Sequence, residues 1–407
     1  MNLMPPALSE PFRRKLEALD PSSPRHVIDL VALMLDEARD AGASDVHLTP
    51  TADGLDARWR VDGVLQPAGL LPKGVTPNVV ARLKVLANLL TYRNDVPQEG
   101  RIPGAAGDVE MRVSTFPTLF GEKAVVRLFA GQGQFLRLND LGLPPEVRST
   151  LGRLLNETSG AILLAGPAGS GKTTTIYACL RELVAASEGR RSLTTLEDPI
   201  EVAVPGVAQA QVNPLSGFDL ASGLRSLLRQ DPEVIAVGEV RDQGTAEVAF
   251  QASLTGHLVL TTFHAGSASG AVSRLSDMGI EPYLLRSGLR AIVCQRLVRR
   301  LCQCSLESDD PRLRLGLDVE RFRVAKGCDA CRGTGYRGRL VLAEMLVPDD
   351  GDLGRAVLDR ADVATLEAAA RRAGMTDRWE RARQAVEAGL TSPEEVRRVL
   401  GFHQIKE

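Results

Sequence analysis

Residues 166–173 read Gly-Pro-Ala-Gly-Ser-Gly-Lys-Thr, and this stretch carries the clearest chemistry in the sequence. An apolar segment, 161–165, precedes it, and a segment with helical character, 174–186, follows it. In a strand–loop–helix of this kind, glycines let backbone N–H groups turn inward around a phosphate, and the helix N-terminus adds a favourable dipole. Lys172 would meet the β- and γ-phosphates of a nucleotide, and Thr173 would ligate Mg²⁺. The alternative is a glycine-rich turn that matches the motif by accident, but the complete motif in its strand–helix context favours a site for ATP with magnesium. The predicted phosphate cradle consists of Gly166, Pro167, Ala168, Gly169, Ser170, Gly171, Lys172, Thr173 and Thr174.

Two further segments place carboxylates after apolar strands. The strand 234–237 is followed by Gly238 and Glu239, and the segment 195–201 carries three acidic residues before and after a proline. A carboxylate at a strand end beside the phosphate loop can hold Mg²⁺ through water, and another can orient and deprotonate an attacking water. The alternative for Glu239 alone is a solvated strand end. Together with the phosphate loop, the acids predict that the nucleotide is hydrolysed.

Two histidines and four arginines are further candidates. His257 and His264 bracket a predicted strand, although a histidine in a core is often purely structural. An arginine that faces the developing charge accelerates phosphoryl transfer, whereas a surface arginine is more simply explained by solvation. Of the four candidate arginines, one pair lies on two predicted strands near the start of the chain and the other pair is spaced i, i+4 on one helix face: Arg112, Arg127, Arg225 and Arg229.

The composition excludes several classes of protein. Among the 407 residues, apolar types make up 44% and charged types 25%, with a net charge of −2, as in an ordinary globular protein without a basic excess. Aromatic residues are only 4%, so a stacking platform for single-stranded nucleic acid is not expected. No apolar run has the length of a transmembrane helix, and residues 1–14 lack the apolar region of a secretory signal. The composition therefore predicts a soluble cytoplasmic protein with no nucleic-acid partner.

The order of predicted elements divides the chain into segments. A helix at 27–38, strands at 44–48 and 56–61, and a hairpin turn at Asp62-Gly63 indicate a small α+β domain. From residue 146, helices alternate with buried strands at 161–165, 192–196, 234–237 and 257–261, which predicts a parallel sheet flanked by helices. A capping box of Ser392 and Glu395, with Pro393 in the first turn, is predicted to open the last helix. The predicted segments are an N-terminal arm (1–24), a small α+β domain (25–130), a linker (131–145), an ATPase core (146–300), a short, irregular cysteine-bearing segment (301–340) and a C-terminal helical region (341–407).

Six cysteines are present, and four of them form two close pairs within thirty residues: Cys302, Cys304, Cys328 and Cys331. In a reducing compartment, paired cysteines indicate a metal more often than disulfides. Four thiolates suit tetrahedral Zn²⁺, although a C-x-C pair makes a tighter chelate than C-x₂-C. The sequence favours zinc over free cysteines.

This set of motifs resembles the secretion ATPase superfamily, which contains the type II secretion ATPases and the type IV pilus assembly and retraction motors. The segments that resemble its Walker A, Asp box, Walker B and His box are 166–174, 195–201, 233–242 and 255–264, in that order. The similarity runs from about residue 27 to the end. It implies a RecA-like P-loop NTPase domain preceded by a small PAS-like α+β domain, within an α/β fold that also carries a cysteine-bearing subdomain and C-terminal helices.

The resemblance also implies roles for the candidate residues. Glu197 matches the catalytic glutamate of the Asp box and is the expected base, while Glu239 matches the Walker B glutamate that positions Mg²⁺. His257 and His264 match the His-box pair that senses the state of the nucleotide. The two pairs of arginines match family positions that reach the nucleotide, Arg112 and Arg127 from the N-terminal domain and Arg225 and Arg229 from a helix that faces the phosphates.

The cysteine segment resembles the tetracysteine zinc segment that assembly-type members carry and retraction motors generally lack. The resemblance therefore implies a homo-hexameric motor that couples ATP hydrolysis to assembly of a type II secretion pseudopilus or a type IV pilus. Its expected partner is an inner-membrane platform protein, and its expected location is cytoplasmic, peripheral at the inner face of the inner membrane. Only 26 residues precede the first matched helix, so the usual N-terminal docking domain is expected to be missing or supplied by another chain.

Three alternatives remain open from the sequence. One is a retraction or DNA-uptake motor of the same superfamily. Another is a regulatory module that binds ATP without turnover, and the third is a nucleic-acid translocase built on the same core. The acidic pI of about 6.3 and the scarcity of aromatic residues disfavour the third.

Overall fold

A computed structural model of the chain describes residues 10–104, 111–128 and 136–402. Parts of the predicted arm (1–24), of the small α+β domain (25–130), of the linker (131–145) and of the C-terminal region (341–407) lie outside the described residues. The chain divides into two compact units, Met1–Gln132 and Gly133–Glu407.

The first unit is a six-stranded antiparallel sheet covered by helices. Its strands follow the order β3-β2-β1-β6-β5-β4. Its elements are α1 (Glu10–Glu17), α2 (His26–Asp40), β1 (Ala43–Pro50), β2 (Gly54–Val61), β3 (Val64–Pro72), α3 (Thr76–Leu86), β4 (Gln98–Ile102), β5 (Met111–Thr118) and β6 (Gly121–Arg127), with a 3₁₀ turn at Lys73–Val75.

Local sequence explains why these elements form. The apolar residues of α2 recur at helical spacing and are the ones it buries, which confirms the helix predicted at 27–38. Asp62 and Gly63 both have positive φ, 50° and 81°, as a tight two-residue hairpin turn between β2 and β3 requires. The predicted hairpin is therefore confirmed.

The second unit is built on a seven-stranded sheet in the order β15-β12-β7-β11-β10-β8-β9. Its elements up to the end of β12 are α4 (Pro145–Leu154), β7 (Gly160–Ala165), α5 (Lys172–Ser187), β8 (Leu193–Glu197), β9 (Ala208–Gln211), α6 (Leu220–Leu227), β10 (Val234–Val237), α7 (Gln243–Leu254), β11 (Leu258–Phe263), α8 (Ala268–Asp277), α9 (Pro282–Gly288) and β12 (Leu289–Leu301). The remaining elements are β13 (Leu306–Ser308), β14 (Phe322–Val324), β15 (Tyr336–Leu346), α10 (Asp352–Leu358), α11 (Val363–Arg372), α12 (Arg378–Glu387) and α13 (Pro393–Leu400). Short 3₁₀ turns lie at Leu138–Leu141, Pro214–Ser216, Pro311–Leu313 and Asp329–Cys331.

The central strands are buried on both faces, because helices cover the sheet from both sides. Every residue of β7, β10 and β11 is buried, and alternate residues along them face two different apolar clusters. One cluster contains side chains of α4 and α5, and the other contains side chains of α6, α7, α8, α10 and α11. This is the arrangement expected of near-continuous apolar strands joined by helices, and it confirms the predicted α/β class.

The sheet extends further than the sequence predicted. β9 pairs in parallel with β8, and β12 pairs in parallel with β7 and antiparallel with β15. The cysteine segment was expected to be short and irregular, yet the first part of β15 lies in it and joins the main sheet. Arginines interrupt the apolar pattern of β12 near its end, so periodicity alone does not show that the strand reaches Leu301.

The last helix shows a second difference from expectation. Ser392 Oγ accepts the N–H of Glu395, as a capping box requires, but the Glu395 carboxylate does not return to the cap. It accepts hydrogen bonds from Arg299 and Arg398 instead. Only half of the predicted box therefore forms. Within the described ranges, none of the helices combines the length and apolar character that a membrane-spanning helix needs.

Candidate ATP site and cysteine cluster

The phosphate loop joins β7 to α5, and its shape depends on glycine. Gly166 has a φ of 143°, and a Cβ there would lie 2.5 Å from Ser170 Oγ and 2.6 Å from the Gln295 carbonyl oxygen. Gly171, with a φ of 92°, immediately precedes the first residue of α5, Lys172. The strand–loop–helix predicted from the sequence is therefore present, with the free N–H groups of the α5 N-terminus next to the loop.

Lys172 lies across its own loop. Its Nζ donates to the carbonyl oxygens of Gly166 and Pro167, both at 2.9 Å. Burial lowers the pKa of Lys172, and the carboxylate of Glu239 acts in the opposite direction. An entering phosphate would replace these carbonyl acceptors with a charged one, which makes a stronger hydrogen bond to an ammonium group.

The register of the parallel strands brings several candidates to one edge of the sheet. Val237 pairs with Leu196 of β8 and with Thr261 of β11, and Phe263 of β11 pairs with Ala165 of β7. The residues that follow these strand ends are therefore neighbours. They are the phosphate loop, Glu197, Glu239 and His264, all at the carboxyl edge, where ligands bind in open α/β sheets.

Glu239 and His264 are in direct contact. Glu239 Oε1 lies 2.6 Å from His264 Nε2, and its Oε2 accepts a hydrogen bond of 2.5 Å from Arg241 Nε. The Glu239 side chain is 15% exposed, so the carboxylate is shielded but still reachable from solvent. A carboxylate in this position, close enough to act on the charge of Lys172, has the chemistry to hold Mg²⁺ through water.

Glu197 is buried in a network of hydrogen bonds. Its Oε2 accepts from the Tyr177 hydroxyl at 2.5 Å, and its Oε1 accepts from Thr195 at 2.6 Å and Gln209 at 3.0 Å. Burial, together with the bond to Glu197, raises the pKa of Tyr177. Gly238 lies against this strand end, because a Cβ there would be 3.3 Å from the Glu197 Cα. The network fixes the direction of the carboxylate, and a water would have to reach one of its oxygens for Glu197 to act as a base.

Two residues beside the loop, the buried Gln295 and the half-buried Arg296, are not predicted from the sequence. Gln295 of β12 is buried, and its side-chain amide bonds Thr175 Oγ1 at 3.0 Å. Arg296 donates to the carbonyl oxygens of Gln295 at 3.1 Å and of Gly266 at 2.7 Å. No motif marks these positions. The one signal in the sequence is that a glutamine and an arginine interrupt the apolar run that forms β12.

His257 is not brought to this edge. It precedes β11, so the whole six-residue strand separates it from His264, a distance on the order of 20 Å. Its Nδ1 lies 3.0 Å from the Ala252 carbonyl oxygen at the end of α7. This geometry corresponds to the structural role that the sequence left open for a histidine.

The two arginines of the α6 region are exposed. Arg225 lies in α6, and Arg229 follows the helix and donates to the Arg225 carbonyl oxygen at 3.1 Å. Because the chain continues from Arg229 to the amino end of β10, Arg229 lies towards the edge of the sheet opposite the phosphate loop. Within one copy of the chain, the structure does not bring Arg229 to the loop.

In the first unit, Arg112 and Arg127 are direct neighbours across β5 and β6. Arg112 is also opposite Arg101 of β4, so three arginines occupy adjacent positions on one face. Arg127 Nε lies 3.2 Å from Asp45 Oδ1, an ion pair on the same row. Like charges in direct cross-strand pairs are unfavourable, and the carboxylate of Asp45 offsets part of the positive charge in this row.

The four paired cysteines converge on one point. Their sulfur atoms all lie within 4.8 Å of one another, with Sγ–Sγ distances of 3.8 Å for Cys302–Cys328, 3.9 Å for Cys304–Cys331 and 3.7 Å for Cys328–Cys331. Tetrahedral zinc with Zn–S bonds of about 2.3 Å needs sulfurs about 3.8 Å apart. Each cysteine of the C-x-C pair therefore lies at a suitable distance from one sulfur of the second pair.

The environment of the cluster favours thiolates at one position. Burial opposes ionisation of Cys331, but N–H groups of Cys328 and Gly335 donate to its sulfur and bring its pKa down to about 6. Burial raises the pKa of Cys304 to about 12, so this thiol resists ionisation. A bound cation would supply the charge that lets all four sulfurs ionise.

Comparisons with known proteins agree with this architecture. Residues 21–398 match the family described as Type II/IV secretion system protein. The chain is 42% identical to the type II secretion system protein HxcR of Pseudomonas aeruginosa, over 94% of this chain and 79% of that protein. It is 40% identical to the type II secretion system ATPase E of Vibrio cholerae, over 97% of this chain and 79% of that protein.

Other relatives are longer or more distant. The type IV pilus assembly ATPase PilB of Thermus thermophilus is 39% identical over 87% of this chain, which spans 41% of that protein's length. Among solved structures, the ATPase DotB of Legionella pneumophila superposes with a TM-score of 0.67 at 21% identity, over 93% of this chain and 96% of DotB. The pilus retraction motor PilT with bound ADP superposes with a TM-score of 0.58 at 24% identity, over 89% of this chain and 94% of PilT. These two structures support the fold, which is RecA-like.

With the phosphate loop, the strand-end acids and the family match in place, this chain belongs to the Type II/IV secretion system protein family and is related to its secretion and pilus ATPases.

Proposed function

We propose that this chain hydrolyses ATP with Mg²⁺ and uses the energy to assemble a type II secretion pseudopilus or a type IV pilus. The observation that carries the proposal is the convergence of the phosphate loop, Glu197, Glu239 and His264 at one edge of the sheet. Each of these groups has a place in phosphoryl transfer, which depends mainly on positioning and on electrostatic stabilisation.

The proposed roles follow from position. The loop N–H groups and Lys172 bind the phosphates, and Thr173 with Glu239 holds the magnesium ion. Bound magnesium would neutralise charge on the phosphate oxygens. Glu197 orients and deprotonates the attacking water, and His264 links the state of the nucleotide to Glu239 through their contact.

The remaining candidates supply positive charge. We propose that Arg112 and Arg127, with Arg225 and Arg229, stabilise the phosphates in a homo-hexamer. Arg225 and Arg229 are exposed, which suits a contribution to a neighbouring copy better than to their own loop. His257 is retained as a candidate only for a role at a distance from the nucleotide.

The cysteine cluster helps to distinguish an assembly motor from a retraction motor. We propose that Cys302, Cys304, Cys328 and Cys331 hold a structural Zn²⁺, supported by their Sγ–Sγ distances of 3.7 to 3.9 Å. The relatives at about 40% identity are named as secretion or pilus assembly proteins, and this also favours assembly over retraction. The proposed partner is an inner-membrane platform protein, and the proposed location is the cytoplasmic face of that membrane.

Phosphate release measured against protein concentration tests the proposal. We expect turnover per chain to rise with concentration as a hexamer forms. We expect Glu239→Gln to lower kcat by at least about 100-fold, because the group that holds magnesium through water loses its charge. Glu233→Gln is the matched control, since Glu233 flanks the opposite end of the same strand, β10. Turnover that is independent of concentration and equal in wild type and Glu239→Gln would refute the mechanism. Tight ATP binding with no phosphate release by the wild type would instead identify a non-hydrolysing binding module.

A further inference from the structure

The segment that connects β11 to α8 and includes the first residue of that helix, residues 264–268, carries His264 and is held by side chains from outside it. Its backbone is bonded at three points: Arg274 Nη1 donates to the His264 carbonyl oxygen at 2.7 Å, Arg296 Nη2 donates to the Gly266 carbonyl oxygen at 2.7 Å, and Glu344 Oε1 accepts the Ala268 N–H at 2.6 Å. We call residues 264–268 the His264 loop. Two of the three contacts come from the neighbouring strands β12 and β15, which the proposed chemistry does not yet use.

Arg296 connects this loop to the strand that supports the phosphate loop. Its guanidinium donates to the Gly266 carbonyl on one side and to the Gln295 carbonyl on the other. That same Gln295 carbonyl is the atom against which Gly166 packs, since a Cβ on Gly166 would lie 2.6 Å from it. One side chain therefore ties the His264 loop to the backbone that touches the first residue of the phosphate loop.

Glu344 holds the other end of the loop. It is 1% exposed, and its two oxygens accept the N–H of Ala268 at 2.6 Å and the N–H of Arg378 at 2.9 Å. Ala268 and Arg378 are the first residues of α8 and α12, whose amides have no acceptor inside their own helices. Burial raises the pKa of Glu344, and these two N–H donors act against that rise by stabilising the carboxylate. A buried carboxylate placed between two helix starts is costly unless it is fixed by such donors.

We propose that Arg296 and Glu344 are positioning residues of the ATP site, which fix the His264 loop relative to the phosphate loop. The inference rests on the proposed hydrolysis, because it assigns these side chains to that reaction. Their effect passes through His264 and its contact with Glu239, so they act without touching the nucleotide. A displacement of about 1 Å in a catalytic group can reduce turnover by about 100-fold. We therefore expect loss of Arg296 or Glu344 to reduce the rate of hydrolysis more than the affinity for ATP.

Steady-state kinetics separate positioning from binding. In Arg296→Gln and Glu344→Gln we expect kcat to fall by about 10- to 100-fold, while KM for ATP and binding of a fluorescent ATP analogue change by less than about threefold. The kcat of Arg296→Lys, which keeps the charge but loses the bidentate geometry, should lie between those of wild type and Arg296→Gln.

Arg300→Gln is the matched control, because Arg300 is exposed on the same strand. Millimolar guanidinium should partly restore kcat in Arg296→Gln and leave Arg300→Gln unchanged. Unchanged kcat in both Arg296→Gln and Glu344→Gln, or a loss of ATP binding that matches the loss of kcat, would overturn the proposal.

Amide exchange gives a readout that does not depend on turnover. In the full-length wild type, the amides of Ala268 and Arg378 should exchange slowly, and Glu344→Gln should speed both by about tenfold, because one amide oxygen replaces two carboxylate acceptors. Arg296→Gln should speed exchange in the His264 loop and spare Arg378. If the wild type hydrolyses no ATP, the proposed function fails. The exchange data still decide whether Arg296 and Glu344 hold the loop, and fast exchange of Ala268 in the wild type would refute that hold.

Discussion

Glu239 Oε1 and His264 Nε2 lie 2.6 Å apart, and this contact joins the ends of two adjacent parallel strands, β10 and β11. The contact couples the expected magnesium ligand to the expected nucleotide sensor without any intervening residue. Arg241 contacts the other oxygen of the same carboxylate, so Glu239 is held from both sides. A nucleotide that draws His264 or Glu239 toward its phosphates would therefore disturb their contact.

The first prediction concerns His264. Replacing it with Gln should lower kcat by about tenfold, because Glu239 loses one of the two groups that orient it, while ATP affinity stays within about threefold of wild type since the phosphate loop is intact. The control is His257→Gln, a change to the other histidine of the same motif at the opposite end of β11. We expect near wild-type kcat for the control, measured by phosphate release. Equal losses of kcat in the two variants would contradict the prediction that only His264, the histidine in contact with Glu239, takes part in hydrolysis.

The phosphate loop, the two histidines and the cysteine cluster show how much of the candidate site the sequence predicts. The strand–loop–helix around Lys172 was predictable, because a fully buried strand, glycines with positive φ and a helix start are local features. The pair of histidines was assigned one role, yet a strand places its two ends at opposite edges of the sheet. The zinc-type cluster was predictable in composition, but its fit to a tetrahedral ion required the Sγ–Sγ distances.

Other features depend on contacts that are distant in sequence. Tyr177 looks like an ordinary core residue of α5, and only the fold brings its hydroxyl to Glu197, 20 residues later. Glu395 has the spacing of a capping box, but Arg299, 96 residues earlier, offers its carboxylate a charged partner. A charged donor is worth more to a buried carboxylate than a backbone N–H, so the local motif yields to the tertiary contact.

The second prediction concerns Tyr177. Tyr177→Phe removes the hydroxyl that donates to Glu197 at 2.5 Å and accepts the Glu201 N–H at 3.0 Å. We expect the free energy of unfolding to fall by about 1.5–3 kcal/mol, since a buried hydrogen bond to a charged group is lost, and kcat to fall several-fold as Glu197 is less firmly oriented. Tyr283→Phe is the control, because Tyr283 is 58% exposed. Urea unfolding and phosphate release measure the two effects, and a Tyr177→Phe protein as stable as the control would contradict this assignment.

The third prediction concerns the cysteine cluster. Elemental analysis of the purified protein should find one zinc per chain, and Cys331→Ser should lose it together with several degrees of melting temperature, because metal binding contributes to folding. Chelator treatment of the wild type should reproduce the loss. Cys179→Ala is the matched control, since Cys179 is a buried free cysteine of α5 outside the cluster. A chain that contains no zinc, or a control that loses it equally, would rule out the assignment.

The fourth prediction concerns the ion pair that attaches α13 to β12. The Glu395 side chain is fully buried and receives Arg299 at 2.7 Å. Burial alone would raise the pKa of Glu395, but hydrogen bonds from Arg398 and Arg299 outweigh it and hold the pKa below its usual value of 4.5.

A carboxyl group with a lowered pKa in the folded state stabilises the fold above its unfolded-state pKa, and that contribution is lost as the pH falls through the lower, folded value. Glu395→Gln should therefore cost about 3–5 kcal/mol at pH 7, because Arg299, whose side chain is 13% exposed, loses its charged partner. The substitution should also flatten the loss of stability below pH 4.5. The exposed neighbour Glu394→Gln serves as the control, and denaturant unfolding from pH 3 to pH 7 measures both. A Glu395→Gln protein that keeps the acid sensitivity of the wild type would mean that other carboxylates carry it.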